Sequence, residues 1–136
     1  MPEDVATRPD DLTSALRALA SAFSAGRTPI DCRFPAALEV TLPRGIIAAC
    51  YRICEEALDN AVRHANARRI ALEMHAREDR LVVRVLDDGV GFDHVALNGH
   101  GLQRMDEIAR NANGRLDVRS APHAGTCVSM IFTAQS

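Results

Sequence analysis

The sequence predicts an α/β fold, a two-layer sandwich of helices against antiparallel strands. Three observations carry this. Residues 44 to 65 repeat apolar side chains at helical spacing. Residues 68 to 88 hold two alternating runs separated by a polar turn, and residues 115 to 134 hold two more. A glycine-rich loop closes one strand, and a second one opens a further helix.

The elements follow in chain order. Residues 1 to 9 read as a loose tail. Asp10 or Asp11 can cap a helix to about Ala25, with Leu12, Leu16, Leu19 and Phe23 on one stripe and Gly26 ending it. Residues 30 to 40, IDCRFPAALEV, read as a strand broken by Pro35. The strongest helix starts after Pro43 and runs to about Ala65, with Ile46, Ile47, Cys50, Ile53, Cys54, Ala57, Leu58 and Ala61 forming its apolar face. In RRIALEMHARE, Ile70, Leu72, Met74 and Ala76 point one way. Glu78 to Arg80 make a turn into the strand RLVVRVLDD, so the two strands form a hairpin. NGHGLQRM opens a helix to about Ala112, which Asn113 and Gly114 terminate. RLDVRS, the turn APHAG and TCVSMIFTA close the chain as a second hairpin.

Composition bounds the function. The chain has 136 residues, 47% hydrophobic and 25% charged, with a formal net charge of -2. That length suits one domain with a real core. The mild acidic balance argues against a dedicated nucleic-acid binder. No apolar run approaches the ~18 residues of a membrane span, and MPEDVATRPD lacks a signal-peptide pattern. No direct membrane contact is expected of this segment. Cys32, Cys50, Cys54 and Cys127 form no C-x-x-C pair and no zinc spacing. They read as small hydrophobes in a reducing cytoplasm.

Three short stretches can carry chemistry. In EEALDNAVRH, Glu56, Asn60 and His64 recur every four residues and share one helical stripe, with Arg63 beside it. A carboxylate and an amide oxygen suit Mg²⁺, although a solvated helix face reads the same way. In DDGVGF, Asp87 ends a strand before Gly89 and Gly91, which allow close approach of a ligand. Such a carboxylate can accept from an exocyclic amine; a plain D-G turn is the alternative. In GHGLQRM, Gly99 and Gly101 precede a helix whose free N–H groups suit phosphate. A flexible entry to a helix would look alike. The pattern is neither a Rossmann fingerprint nor a Walker A loop, since the third glycine and the G-K-[ST] are missing.

Together, in this order, the three stretches resemble the histidine-kinase-type ATPase superfamily shared with gyrase. YRICEEALDNAVRHA looks like its N box, DDGVGF like its D-x-G-x-G box and GHGLQRM like its later G-x-G-L box. NGRLDVRSAPHAGTCVSMIF is similar to the family's closing hairpin. The resemblance covers about residues 30 to 134 and implies a Bergerat-type fold. That is a mixed, mostly antiparallel sheet packed against about three helices. The N-box wording, the short spacer between the glycine loops and GLQRM resemble sensor kinases of the nitrate-sensor and lipid-fluidity-sensor branch. The leading helix, DDLTSALRALASAF, looks like the end of their dimerisation hairpin or its linker, which divides the chain at residue 27.

The resemblance implies Mg²⁺ and ATP as cofactor and substrate. Asn60 matches the metal-ligating asparagine and Glu56 the catalytic N-box acid. Arg63 and His64 match positions near the phosphates. Asp87 matches the aspartate that accepts from the adenine amine. Gly89, Gly91, Gly99, Gly101 and Leu102 match the loops around the nucleotide, and Thr126 the edge of the adenine pocket. The lid, residues 93 to 100, is expected to be mobile until phosphates engage it. Kinases of this branch carry a histidine followed by Asp or Glu. The five histidines here precede Ala65, Ala76, Val95, Gly101 and Ala124, so none fits. The expectation is a cytoplasmic, monomeric catalytic part of a longer membrane-bound or cytoplasmic sensor kinase. Its partners would be a phosphoacceptor dimerisation domain and a downstream response regulator. The alternative is an anti-sigma-factor-type serine kinase of the same fold.

Overall fold

The computed structural model describes residues 6–7, 9–24, 28–36, 42–63, 67–77, 79–89, 100–121 and 123–133. The elements are β1 (Ala6–Thr7), α1 (Pro9–Ser24), β2 (Ile30–Arg33), β3 (Leu42–Pro43), α2 (Arg44–Arg63), β4 (Ile70–Arg77), β5 (Arg80–Asp87), α3 (His100–Asn111), β6 (Gly114–Ser120) and β7 (Thr126–Thr133). Five strands form one sheet in the order β2-β4-β5-β7-β6. β2 runs parallel to β4, and the other pairs are antiparallel. The three helices cover one face, so the mixed, mostly antiparallel two-layer sandwich is the observed architecture.

Strand alternation sorts the two faces. Leu81, Val83 and Val85 of β5 are buried, as are Ile70, Leu72 and Met74 of β4 and Val128, Met130 and Phe132 of β7. They meet the stripe of α2 made by Ile46, Ala49, Cys50, Ile53, Cys54, Ala57, Leu58 and Ala61. Cys50 and Cys54 are free and buried in that stripe. A hydrogen bond with Cys50, reinforced by burial, pushes the Cys54 thiol well up.

Three local expectations change. The tail is not wholly loose: Ala6–Thr7 pair with Leu42–Pro43 in a separate two-stranded ribbon. The first helix begins at Pro9 rather than at Asp10 or Asp11, and proline suits a first helical turn because its missing N–H is not needed there. The strand expected over residues 30 to 40 stops at Arg33; residues 37–41 lie outside the described residues. Leu12, Leu16, Leu19 and Ala20 are buried in the same core as α2 and the sheet.

At the end of α3, Asn113 takes the left-handed conformation (φ 61°), a role asparagine tolerates. Gly114 is required for another reason. A Cβ there would lie 2.5 Å from Cδ1 of Phe132 and 2.9 Å from the carbonyl oxygen of Ile131.

Candidate functional site

Glu56 and Asn60 sit at the edge of the apolar stripe of α2, half-buried and one helical turn apart. The start of α3 lies directly on this row. A Cβ at Gly101 would be 3.3 Å from Oε2 of Glu56 and 3.7 Å from Nδ2 of Asn60. Three residues on, the Arg104 guanidinium (Nη1) stands 3.6 Å from Oε1 of Glu56. Buried Met105 and Ala109 hold α3 in place, and half-buried Leu102 packs against the core. Two of the three stretches picked out in the sequence thus meet side chain to backbone.

Arg63 is brought to Asp59 instead, at 3.5 Å across one turn of α2, with its side chain 67% exposed. That leaves the guanidinium at the surface. His64, Gly91 and Gly99 lie outside the described residues, as does the expected lid except for its last residue, His100, where α3 begins.

The second cluster stands at the end of β5. Asp87 follows Leu81, Val83 and Val85 in alternation, so it points to the helix-covered face. It lies between Ile70 of β4 and Thr126 of β7 in the sheet register. Gly89 N–H donates to Asp87 Oδ1 at 2.8 Å. Burial pushes the Asp87 carboxyl above its usual range. The Gly89 N–H opposes that shift, the Asp88 charge adds to it, and the Thr126 N–H opposes it.

The neighbouring aspartate has a different task. Asp88 Oδ1 accepts from the backbone N–H groups of Arg69 (2.9 Å) and Arg68 (2.8 Å). Those two bonds, Arg69 first, hold its carboxyl below the ordinary value even though it is exposed. Asp88 ties the end of β5 to the entry of β4 and leaves Asp87 to face inward. The sequence reading did not assign Asp88; its phase opposite to the buried residues of β5 was the available signal.

Thr126 is buried, and its hydroxyl meets Ser120 Oγ at 2.8 Å. Ser120 Oγ also donates to the Gly125 carbonyl at 3.1 Å. Gly125 has φ +78°, and a Cβ on it would fall on the carbonyl oxygen of Asp87. The β6–β7 turn therefore closes against the backbone of Asp87, a contact only glycine permits. Asp87, Gly125 and Thr126 line a cleft of about 440 Å³ at this end of the sheet. Residues 90–99 join Gly89 to α3, so the same chain segment links the two clusters.

Residues 45–136 match the family model described as histidine kinase-, DNA gyrase B-, and HSP90-like ATPase. The chain belongs to this ATPase family. Among curated relatives, the sensor protein VraS of Staphylococcus saprophyticus is 33% identical over 94 residues, covering 68% of this chain and 27% of that protein. VraS of Staphylococcus aureus is 32% identical over 91 residues, covering 65% of this chain and 26% of the relative. The chain thus spans about a quarter of these relatives. A blue-light activated histidine kinase of Erythrobacter litoralis superposes with a TM-score of 0.76 at 20% identity, covering 90% of this chain and 42% of that one. The histidine kinase domain of the same protein gives 0.72 at 19% identity, covering 90% and 59%. These two likenesses show the ATPase fold. Among the described residues, no helix is long and apolar enough to cross a membrane.

Proposed function

We propose that the chain is the ATP-binding catalytic part of a two-component sensor histidine kinase. It binds Mg·ATP and donates the γ-phosphate to a histidine on a separate dimerisation domain, from which a response regulator is charged. The observation that carries this reading is the seating of Gly101 on Glu56 and Asn60. A helix start, with its unpaired N–H groups, is set beside an oxygen donor and a carboxylate. Phosphoryl transfer asks for positioning and charge neutralisation more than for covalent chemistry, and this arrangement supplies both.

Each residue has a role in this reading. Asn60 offers an amide oxygen to the metal, with Glu56 close enough to act through water. The fit favours Mg²⁺, which keeps several waters and is shared with phosphates rather than caged by protein. Among the described residues no three His, Cys, Asp or Glu side chains gather to hold a metal alone. When bound, Mg²⁺ neutralises charge on the phosphate oxygens. Glu56 is the catalytic carboxylate. Asp87 accepts from the adenine amine with the capacity that Gly89 leaves it. Arg63, His64, Gly91 and Gly99 serve the phosphates and the lid. The likeness in wording to the nitrate-sensor and lipid-fluidity-sensor branch, and to VraS, supports placing the parent protein among such sensors.

Adenine selectivity and label transfer test the proposal. GTP presents a carbonyl where ATP presents an amine, and one unpaired buried acceptor costs about 1–3 kcal/mol. ATP should bind about 5- to 150-fold tighter than GTP by calorimetry. With γ-labelled ATP the chain alone should remain unlabelled. Addition of a dimerisation domain bearing an acceptor histidine should give acid-labile, base-stable label on that domain. Equal affinity for GTP, or label on serine, would overturn it.

A further inference from the structure

Arg104 belongs to the GHGLQRM stretch, but the proposed function gives it no role, and it faces the catalytic carboxylate. α3 approaches the Glu56 carboxylate at two places. Arg104 Nη1 is 3.6 Å from Oε1, and a Cβ placed on Gly101 would come 3.3 Å from Oε2. The two residues are three apart on α3 and therefore share the face turned to α2. Glu56 has no other ion pair among the described residues. Asp59, one turn of α2 away, is engaged by Arg63.

This ion pair is a poor stabiliser. The Arg104 side chain is 60% exposed and that of Glu56 27%. Pairs of this kind contribute roughly 0–1 kcal/mol to folding. Its geometry matters more than its energy. A carboxylate on a three-bond stem has rotamer freedom, and a reacting group needs its position fixed to a fraction of an ångström. The missing side chain at Gly101 leaves room for the carboxylate on one side, and Arg104 attracts it from the other. Both belong to the first two turns of the helix that the glycine loop enters.

We infer that Arg104 is a positioning residue: it holds the Glu56 carboxylate in its reactive orientation and ties that orientation to the place of α3. The inference rests on the proposed function and deepens it. Through that ion pair a shift of α3 is carried to the Glu56 carboxylate. Arg104 does not itself touch the nucleotide in this scheme.

The test is a double-mutant cycle on phosphotransfer from the chain to an added histidine-bearing dimerisation domain, with Mg·ATP affinity measured in parallel. Arg104→Ala should lower kcat about tenfold, within the ~100-fold that a misplaced reacting group can cost. Mg·ATP affinity should stay within about twofold and the melting curve unchanged within about 2 °C, as an exposed pair predicts. Arg104→Lys should restore most of the rate. In a Glu56→Gln background, Arg104→Ala should have little further effect, because the group it positions is gone. Multiplicative losses in the double variant, or a loss of Mg·ATP affinity with kcat intact, would overturn the inference. Bound ATP with no phosphohistidine from the unaltered chain would overturn the proposed function itself, and this inference with it.

Discussion

Gly125→Ala is the sharpest probe of how the sheet end is built. Gly125 holds φ +78°, where a residue with a Cβ costs roughly 1–2 kcal/mol. Its Cβ would also fall on the Asp87 carbonyl oxygen, 3.3 Å from the carbonyl carbon and 3.4 Å from Asp88 Cα. Those atoms are backbone at the end of a central strand and cannot swing aside as a side chain can. Overpacking of this kind costs about 1–3 kcal/mol. The sum is about 2–5 kcal/mol, or roughly 6–20 °C in melting temperature for a chain of this size. Gly45→Ala is the control. Nothing lies within 4 Å of its Cβ, and it sits in the first turn of α2. It should be neutral or stabilising by up to about 1 kcal/mol. Thermal melts of both variants, followed by circular dichroism, make the comparison. A Gly125→Ala protein melting within about 2 °C of the parent would refute the close approach of the turn to Asp87. Where the variant remains folded, ATP binding should fall further than folding does, because the displaced backbone carries Asp87, the proposed adenine acceptor.

Other variants separate neighbouring roles. Asn60→Ala should weaken binding of ATP in Mg²⁺ far more than in EDTA while leaving the melting curve in place, since Asn60 is half-buried and outside the core; calorimetry in both buffers reads the difference. Asp87→Asn should raise the melting temperature of the nucleotide-free protein at pH 7 while removing the preference for ATP. Burial lifts the folded-state pKa of Asp87 above its unfolded value. The associated stability is therefore present at low pH and lost as pH rises through the folded pKa, so the gain from Asn should shrink toward zero below about pH 4. Gly114→Ala should destabilise by about 1–3 kcal/mol through its clash with Phe132, with ATP affinity unchanged at temperatures where it is folded.

What the sequence showed and what it withheld have physical reasons. α2 and both hairpins were legible because their apolar periods run uninterrupted for a whole element. The pairing of Ala6–Thr7 with Leu42–Pro43 was not, because a two-residue strand has no period to read. The parallel placement of β2 beside β4 was hidden for another reason: alternation tells which face a residue occupies but not which strand lies next to it. Arg63 stands beside the Glu56–Asn60 row in the sequence and is also one turn from Asp59, with which it pairs. The two aspartates of DDGVGF look alike in composition, and only the phase of Leu81, Val83 and Val85 separates Asp87 from Asp88.

The meeting of α2 and α3 follows from core packing. Met105 and Ala109 are the fully buried residues of α3, four apart, and they bind it to the rest of the core. Continuing that spacing one turn toward the N-terminus reaches residue 101. A Cβ there would come 3.3 Å from Glu56 Oε2, so glycine is the residue that leaves the carboxylate undisturbed. On α2 the same logic applies in reverse. Ile53, Ala57 and Ala61 are buried, and Glu56 and Asn60 each stand one residue ahead of the last two, at the stripe's edge. The stripes that bury the helices against each other thereby fix the carboxylate, the amide and the glycine in one place. The candidate site needs no strained backbone among these three residues, because ordinary helix packing already holds them together.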